Sequence, residues 1–496
     1  MQMQPDQPRI TSKNALAIPE ILFSVGRFLP RHAVAQCLQV CQLWHFTLKP
    51  HLWTEIEVIM DAVASPPPED ALTNASFTRK LVFWYRLASH PLMAVTYPHL
   101  TDLTIVGPDV DRTKEMYDSL YADIIQRYRA TLRNVTITIQ TGGRVFEILS
   151  DCPRLETLAF SSRLEVSCVS QWIQPYQKLR SQLRTFVLHG PYIFKQTSEV
   201  LTLKMAEEWR QAFSGPNRIQ DLTLAPAIHG HRERLKGLQV WIVEDCPDLV
   251  RLKWHSRCYG RERPTLMRAL VNILLAGRHS RLEDVSLPFN PFDNQDFEDL
   301  LKCIRRLTRL DLSRTTFGPG SWEKLQAKPC HLETLVDLNL KGCYDLPGFT
   351  VVTMLCCLPS LKVFKATNLY ESHLEGESRP WVCVDLEVLA LPFRVPSGDL
   401  STKSVQDFLR QISQLKKLKT WKTVTPRMGE TLFPWKLSCG LDQLKSLRRL
   451  QCLDDTLLNY GQEELRWALE NWPNLVDPPR QALTKQLQAL SEEKKL

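Results

Sequence analysis

The sequence predicts an α/β fold: a small N-terminal all-helical module, followed by a solenoid with parallel strands on its concave face and helices on its convex face. Three observations carry this prediction. An apolar hexamer recurs thirteen times along most of the 496 residues. Helical patterns of apolar residues lie between the copies. The first 53 residues hold a dense apolar segment of helical spacing.

The repeated hexamer is L-x-x-L-x-L, with other apolar residues allowed. Its fourth and sixth residues point to one side of a short strand, and the residue between them points to the other side. Repetition of this hexamer is typical of leucine-rich repeats, in which strand–crossover–strand units stack into a parallel sheet. The copies begin at residues 100, 132, 155, 183, 219, 249, 282, 307, 335, 361, 386, 418 and 447.

Apolar residues at i, i+3, i+4 and i+7 predict helices over 114–128, 265–276, 296–306 and 404–412. Two units carry a further polar residue three positions after the last apolar residue of the hexamer, namely Asn290 and Cys343. We expect these side chains to bond the turning backbone. Most other units lack such a residue, as at Ala227, Arg257 and Arg394, so the repeats are predicted to be divergent.

Helical spacing also organises the N-terminal segment. Pro19 suits the first turn of a helix, and Pro30 ends that element. A second helical region runs from about Arg31 toward Lys49, where Pro50 is expected to stop it. About 40 residues in about three helices cannot enclose this many large apolar side chains by themselves. We therefore expect the segment to bury them against a partner or against the repeats.

Ordered residues of this segment resemble the F-box, a module that binds a small adaptor of the Skp family and through it a cullin. The matching residues are Ile18-Pro19-Glu20-Ile21-Leu22, Val25, Val40-Cys41-Gln42-Leu43-Trp44 and Leu52-Trp53. Isoleucine at 18, where leucine is usual, and glutamine at 42, where a basic residue is common, depart from the family pattern. The resemblance implies residues that form the adaptor face or hold it in shape: Ile18, Pro19, Leu22, Val25, Leu38, Cys41, Trp44, Leu52 and Trp53.

The predicted organisation has five parts: a flexible N-terminus (1–15), the F-box-like module (16–58), a Pro-rich linker or loop (59–78), a solenoid of about 13 units (79–475) and a C-terminal helical cap or tail (476–496). This layout resembles the substrate-recognition subunit of an SCF-type cullin–RING ubiquitin ligase, which is not itself an enzyme and holds a protein substrate on its repeats. The alternative is a non-catalytic binding scaffold or inhibitor whose N-terminal helices only cap the solenoid.

The outward residues of the strands are the natural surface for a protein substrate. Small and hydroxyl side chains dominate the first half of the repeats, and charged and amide side chains appear in the second half. We therefore assign substrate contacts to the second half. The same pattern would also arise if these polar side chains were simply solvated. The residues assigned are Lys253, Ser286, Asp311, Asn339 and Lys365. The basic loop tips 226–237 and 257–264 are equally eligible.

No enzyme motif is present: neither a G-x-x-x-x-G-K-[ST] loop, nor H-E-x-x-H, nor G-x-S-x-G. We therefore expect neither catalysis nor a cofactor. Two groups of cysteine and histidine lack a fourth ligand, and no C-x-x-C occurs, so packing is favoured over a metal site. These groups are Cys37, Cys41 and His45, and Cys330, His331 and Cys343.

The sequence predicts an intracellular protein. No apolar run reaches 18 residues and the N-terminus has no signal-peptide pattern, so we expect no membrane segment and a cytoplasmic or nuclear protein or both. The 14 cysteines then read as reduced thiols. The net charge of +8 comes without a nucleic-acid-binding motif, so nucleic acid is not the expected partner.

Overall fold

The computed structural model divides the chain into two compact units, Met1–Arg218 and Ile219–Leu496. None of the helices among the described residues combines the length and the apolar character needed to cross a membrane. The segments predicted as a flexible N-terminus (1–15) and a C-terminal cap or tail (476–496) lie outside the described residues. Those are 16, 18–58, 68–84, 91–107, 114–138, 143–160, 169–193, 215, 217–229, 242–255, 263–290, 293–367, 369–370, 373, 379–391, 393–394, 403–422, 446–450, 466 and 469–474.

Three helices open the first unit: α1 (Pro19–Gly26), α2 (Arg31–Cys37) and α3 (Gln42–Trp53). Pro19 lies in the first turn of α1, as predicted. The region predicted as one helix from Arg31 toward Lys49 is divided, because α2 ends at Cys37 and the extended residue Cys41 precedes α3. This break turns the chain so that α1 and α2 both pack against α3.

The prediction that Pro50 stops the second helical region is wrong, because Pro50 lies inside α3, which continues to Trp53. An interior proline removes one backbone N–H and crowds the preceding turn. Two features offset this cost. Leu48 and Leu52, on either side of the proline, pack into the core of the module. The Thr54 hydroxyl also donates a hydrogen bond of 2.8 Å to the Pro50 carbonyl.

The module has a small core of its own. Leu22, Val34 and Leu48, one from each helix, are fully buried together. Partly buried neighbours complete the core: Leu29, Cys37, Leu38, Trp44 and Leu52. Gly26 allows α1 to approach α3 closely, since a Cβ there would lie 2.4 Å from the His51 ring and 2.7 Å from Leu48. The module is therefore a defined three-helix element.

The first unit continues with parallel strands paired in chain order: β1 (Glu55–Val58), β2 (Lys80–Trp84), β3 (Asp102–Val106), β4 (Asn134–Ile137), β5 (Thr157–Phe160) and β6 (Thr185–Ile193). The intervening helices are α4 (Pro68–Asn74), a 3-10 helix (Ala75–Phe77), α5 (Pro91–Ala94), α6 (Lys114–Tyr128), α7 (Gly143–Ser150) and α8 (Val169–Leu179). Strands β1 and β2 were not among the predicted hexamers. Strand β1 forms the last four residues of the segment (16–58) that the sequence assigns to the all-helical module.

The second unit repeats the arrangement. Its main strands are parallel: β7 (Asp221–His229), β8 (Arg251–Trp254), β9 (Asp284–Ser286), β10 (Arg309–Asp311), β11 (Asp337–Asn339), β12 (Val363–Lys365), β14 (Val388–Ala390), β16 (Thr420–Lys422) and β17 (Arg449–Leu450). A separate pair joins β13 (Leu369–Tyr370) to β15 (Phe393–Arg394). The helices are α9 (Arg263–Ile273) with a π-helical extension (Leu274–Arg278), α10 (Asn294–Cys303), α11 (Pro319–Gln326), α12 (Pro329–Thr334), α13 (Gly348–Leu355) and α14 (Lys403–Ser413).

The α/β class and the parallel strand order are confirmed. Each of the thirteen hexamers contains a described strand, and its fourth residue is buried wherever side-chain burial is described, as at Leu310 and Leu338. The helix predicted over 114–128 coincides with α6, and the other three predicted helices correspond to α9, α10 and α14. Two periodicities in the sequence, two residues for strands and 3.6 for helices, are the physical source of this agreement.

The segment predicted as a Pro-rich linker or loop (59–78) contains α4 and the 3-10 helix, while 59–67 lie outside the described residues. Pro68 begins α4, and Glu69 and Asp70 in its first turn favour the positive end of the helix dipole. Ala71 and Ala75 are buried. The second half of this segment therefore packs as a helix.

Both polar turn residues behave as predicted. The Asn290 amide donates to the carbonyls of Trp254 (3.1 Å) and Pro288 (3.2 Å), and the Cys343 thiol donates to the carbonyl of Leu312 (3.1 Å). Thr315 holds the equivalent place after β10, where its hydroxyl donates to the same Leu312 carbonyl at 2.7 Å. Each side chain thus ties the turn of one repeat to its own backbone or to that of the repeat before it.

Candidate interaction surfaces

The five residues predicted to contact a substrate form a single row across β8 to β12. The register pairs Lys253 with Ser286, Ser286 with Asp311, Asp311 with Asn339, and Asn339 with Lys365. At about 4.8 Å between strands, the row is about 19 Å long. Ser286 is buried and the other four are half-buried. We call these residues the outer row.

A second row, which we call the charge ladder, runs beside the outer row, two residues earlier on each of the four strands that the two rows share. It consists of Asp221, Arg251, Asp284, Arg309 and Asp337, so acid and base alternate across five strands. Arg251 pairs with Asp221, and Arg309 pairs with both Asp284 (3.4 Å) and Asp337 (3.1 Å). The sequence reading missed this ladder, although the third position of five successive hexamers spells it out.

Burial and neighbouring charge oppose each other along the charge ladder. Burial raises the pKa of Asp284, while Arg309, Lys253 and Arg251 act to lower it. Burial likewise raises the pKa of Asp337, against the lowering effect of Arg309 and Lys365. Asp284 is only 5% exposed. The arginines therefore offset the cost of holding these carboxylates out of water.

Two residues of the outer row use part of their hydrogen-bonding capacity on the protein itself. Asp311 accepts bonds from the Ser313 backbone N–H (3.0 Å) and the Ser286 hydroxyl (3.3 Å). Asn339 accepts from the Lys341 N–H (3.2 Å) through its side-chain oxygen. Within the part of the chain that the structure describes, Lys253 and Lys365 take part in no ion pair shorter than 4.0 Å. The lysines are thus the row members best placed to meet a partner.

The nine N-terminal residues implied by the F-box resemblance occupy three kinds of position. Ile18, Pro19, Val25 and Cys41 are exposed. Leu38, Trp44, Leu52 and Trp53 are half-buried, and the first three of these pack against the core of the module. Leu22 is fully buried in that core. Leu22 therefore supports the shape of the module, while the exposed residues are free to contact another protein.

Large apolar side chains are exposed in high density on the same module. Within 31 residues the exposed set comprises Leu16, Ile18, Ile21, Val25, Phe28, Val40, Leu43 and Phe46. Phe28 is 87% and Phe46 is 73% exposed. We call these residues the exposed apolar set. Over the rest of the described chain only seven large apolar residues are comparably exposed: Leu72, Phe77, Leu275, Tyr344, Phe349, Val382 and Val384.

Sequence reasoning assigned Ile18 and Val25 to the adaptor face but missed the most exposed members of the set. Phe28 lies in the turn between α1 and α2, and Phe46 lies on α3 outside the core, whereas helical spacing selects the residues that form the core, such as Leu22 and Leu29. Their signal was present in another form. A large aromatic residue that lies in a polar turn or on the polar side of a helix is a candidate contact residue.

The two cysteine–histidine groups have local roles. Cys37 packs against the module core, while Cys41 is exposed. Burial lowers the pKa of His331, whose imidazole bonds the Leu301 carbonyl at 3.3 Å. In the described residues, no group of three or more His, Cys, Asp or Glu side chains is arranged to hold a metal ion.

Most of the two basic loop tips, 226–237 and 257–264, lies outside the described residues. Compared with protein-family models and with curated proteins, the chain matches none of them. Its candidate function therefore depends on the two surfaces described above.

Proposed function

We propose that the protein is the substrate-recognition subunit of an SCF-type cullin–RING ubiquitin ligase. Its N-terminal helices act as an F-box that binds a Skp-family adaptor, and its strand-and-helix units act as leucine-rich repeats that bind a protein substrate. The observation that carries this proposal is the exposed apolar set on and beside α1 and α3, in the segment where the F-box-like residues lie in order.

The energetics of docking are sufficient. Fully burying one large apolar side chain contributes roughly 1.5–3 kcal/mol. Four or five members of the exposed apolar set can therefore offset an association cost of about 4–15 kcal/mol, provided that the module is preorganised. The buried core of Leu22, Val34 and Leu48 supplies this preorganisation. The cost of ordering the helices is thus met during folding and not during binding.

The proposed role requires no chemistry from this chain. A receptor that holds a substrate near a charged ubiquitin-conjugating enzyme accelerates transfer by raising effective concentration. The outer row of charged, amide and hydroxyl groups on the second unit supports substrate binding at a surface separate in sequence from the helical module. The two surfaces would serve two partners.

An adaptor pull-down tests the proposal. The full chain is compared with a Phe28→Ser, Phe46→Ser variant and with a matched Leu72→Ser, Tyr344→Ser variant, which removes two exposed apolar side chains elsewhere (66% and 92% exposed). We expect the full chain and the matched control to retain a purified Skp-family adaptor and the first variant to lose it. Circular dichroism checks that all three are folded. Equal retention by both variants, or no retention by the folded full chain, would overturn the proposal.

One observation favours a second function, that of a binding scaffold whose N-terminal helices only cap the repeats. Helix α3 packs against α4, the 3-10 helix and β1, so the module covers the beginning of the first unit. On this account, removing the module lowers stability and no adaptor binds. A deletion that tests it should end at residue 54, because β1 begins at Glu55 and pairs with β2.

A further inference from the structure

We infer that the strand face around Lys365 and Lys422 binds an acidic, extended segment of a partner protein through carboxylates spaced along that segment. The inference rests on the proposed function in one respect only, that the partner is the substrate. The surface comprises the outward residues of β12, β14 and β16, together with Lys341 at the end of β11.

The charges of the face are distributed unevenly over its strands. From β7 to β11 the arginines are paired within the charge ladder, with Arg309 bridging Asp284 and Asp337. From β12 to β16 the outward residues include no acid: Val363, Lys365, Val388, Ala390, Thr420 and Lys422. The positive charge on these later strands is therefore not neutralised by the face itself.

The lysines of this region are available. Lys341 and Lys422 are exposed and Lys365 is half-buried. None of the three forms an ion pair within 4.0 Å inside the described ranges. Burial raises the pKa of Asp337, and Lys365 acts to lower it, but this carboxylate already bonds Arg309 at 3.1 Å. An incoming carboxylate would thus meet lysines that have no competing partner of their own.

The spacing of the lysines suggests the shape of the ligand. Lys365 is in register with Ala390, and Ala390 with Lys422, so two strand spacings, or about 10 Å, separate the two lysines. A peptide crossing the strands in the extended polyproline II conformation rises about 3.1 Å per residue with three residues per turn, so acidic residues three positions apart lie on one side of it, about 9 Å apart, and would face both lysines. Lys341 lies two residues beyond Asn339, the residue of β11 that is in register with Lys365, so it adds a third ammonium group beside this row and not within it.

The surface between the lysines is apolar. Val363, Val388 and Ala390 are half-buried and lie on the same side of the sheet, opposite the buried Phe364 and Leu389. Small apolar side chains between the acidic residues of the ligand could pack there. The combination favours a mixed acidic and apolar segment over a purely anionic one.

The geometry favours carboxylates over phosphate groups. Lysine acts as a point charge, whereas arginine is the residue whose fork of donors matches a phosphate. Arg309 on β10, two strands away from β12, is held by two aspartates. Three separated ammonium groups suit several single charges along a chain better than one concentrated dianion.

Fluorescence anisotropy of the full-length chain tests the inference. The probe is a labelled peptide with glutamate at every third position and alanine and valine between; companion peptides carry glutamine or phosphoserine in place of glutamate. The chain is compared with a Lys365→Glu, Lys422→Glu variant. The matched control is Lys403→Glu, Lys416→Glu, which reverses two exposed lysines outside the strands. The unfolding temperature of each protein establishes that it is folded.

We expect the glutamate peptide to bind more tightly than the glutamine peptide, and we expect its affinity to fall as salt is added. The first variant should lose about tenfold in affinity, since attraction becomes repulsion at two sites, and the control should stay within about twofold. Equal binding of the glutamate and glutamine peptides, equal loss in both variants, or binding of the phosphoserine peptide alone would each overturn the inference.

Failure of this inference can be distinguished from failure of the proposed function. The peptide titration contains no adaptor, and the adaptor pull-down contains no peptide. We expect the Lys365→Glu, Lys422→Glu variant to retain the adaptor fully. Peptide binding without adaptor binding would support the acidic-segment surface on a plain scaffold and would contradict the ligase role alone.

Discussion

Single side chains at the ends of strands decide how well successive repeats are held together. Asn290 is buried and donates to two carbonyls, one of which belongs to Trp254 in the preceding repeat. Cys343 and Thr315 both donate to the Leu312 carbonyl. Buried backbone carbonyls without donors are costly. These residues therefore stabilise the turns in which they lie.

Replacing Asn290 by alanine should lower the free energy of unfolding by about 1–3 kcal/mol, because two buried carbonyls lose their donor. Urea unfolding followed by circular dichroism measures this. Asn272→Ala, at an exposed position of α9, is the matched control and should change the free energy by less than about 0.5 kcal/mol. A loss at Asn290 no larger than the control's would contradict the assigned bonds.

Asp284 should make stability depend on pH. Burial raises its pKa above the unfolded value of 3.8. Its favourable contribution is therefore complete below pH 3.8 and is lost as the pH rises through the folded pKa. Relative to Asp284→Asn, the wild-type unfolding temperature should fall as the pH rises from about 3.8 toward neutrality. Asp345→Asn, at an exposed carboxylate, controls for loss of a charge. A difference that grows with pH in favour of the wild type would contradict this account.

At the level of helices and strands, tertiary packing overrode one local signal, and two other features had no local signal to mark them. Pro50 is a helix-stopping residue by local rules, yet α3 continues through it because Leu48 and Leu52 are fixed in the core. The break between α2 and α3, at 38–41, has neither glycine nor proline to announce it. Strand β1 follows α3 almost directly, and its four residues, Glu55–Val58, are too short to contain the repeated hexamer.

Replacing Pro50 by alanine should raise the free energy of unfolding by about 1–3 kcal/mol, since proline costs roughly 3 kcal/mol relative to alanine in a helix interior. Pro19→Ala is the natural comparison, because proline in the first helical turn carries no such cost and should give little change. Both are measured by thermal and urea unfolding. Destabilisation by Pro50→Ala would mean that the ring itself fills space that the module needs.

For the molecule as a whole, the sequence was sufficient for the α/β class and the parallel strand order and insufficient for the surfaces. Thirteen hexamers and four helical patterns identified most of the fold, because the burial periodicities of strands and helices are written directly into the order of apolar residues. The outer row was also found, since strand alternation determines which residue points outward. The third position of five successive hexamers already carries the residues of the charge ladder, but their pairing and the exposure of Phe28 and Phe46 required the structure, because register and exposure depend on residues far apart in the chain.

The central claim is that the helical module and the strand face serve different partners. Backbone hydrogen exchange of the full chain, with and without a purified Skp-family adaptor, tests it most directly. We predict slower exchange in α1 to α3 and unchanged exchange in β8 to β16 when the adaptor is present. Unchanged exchange throughout the module at saturating adaptor, or protection centred on the strand face, would contradict the account.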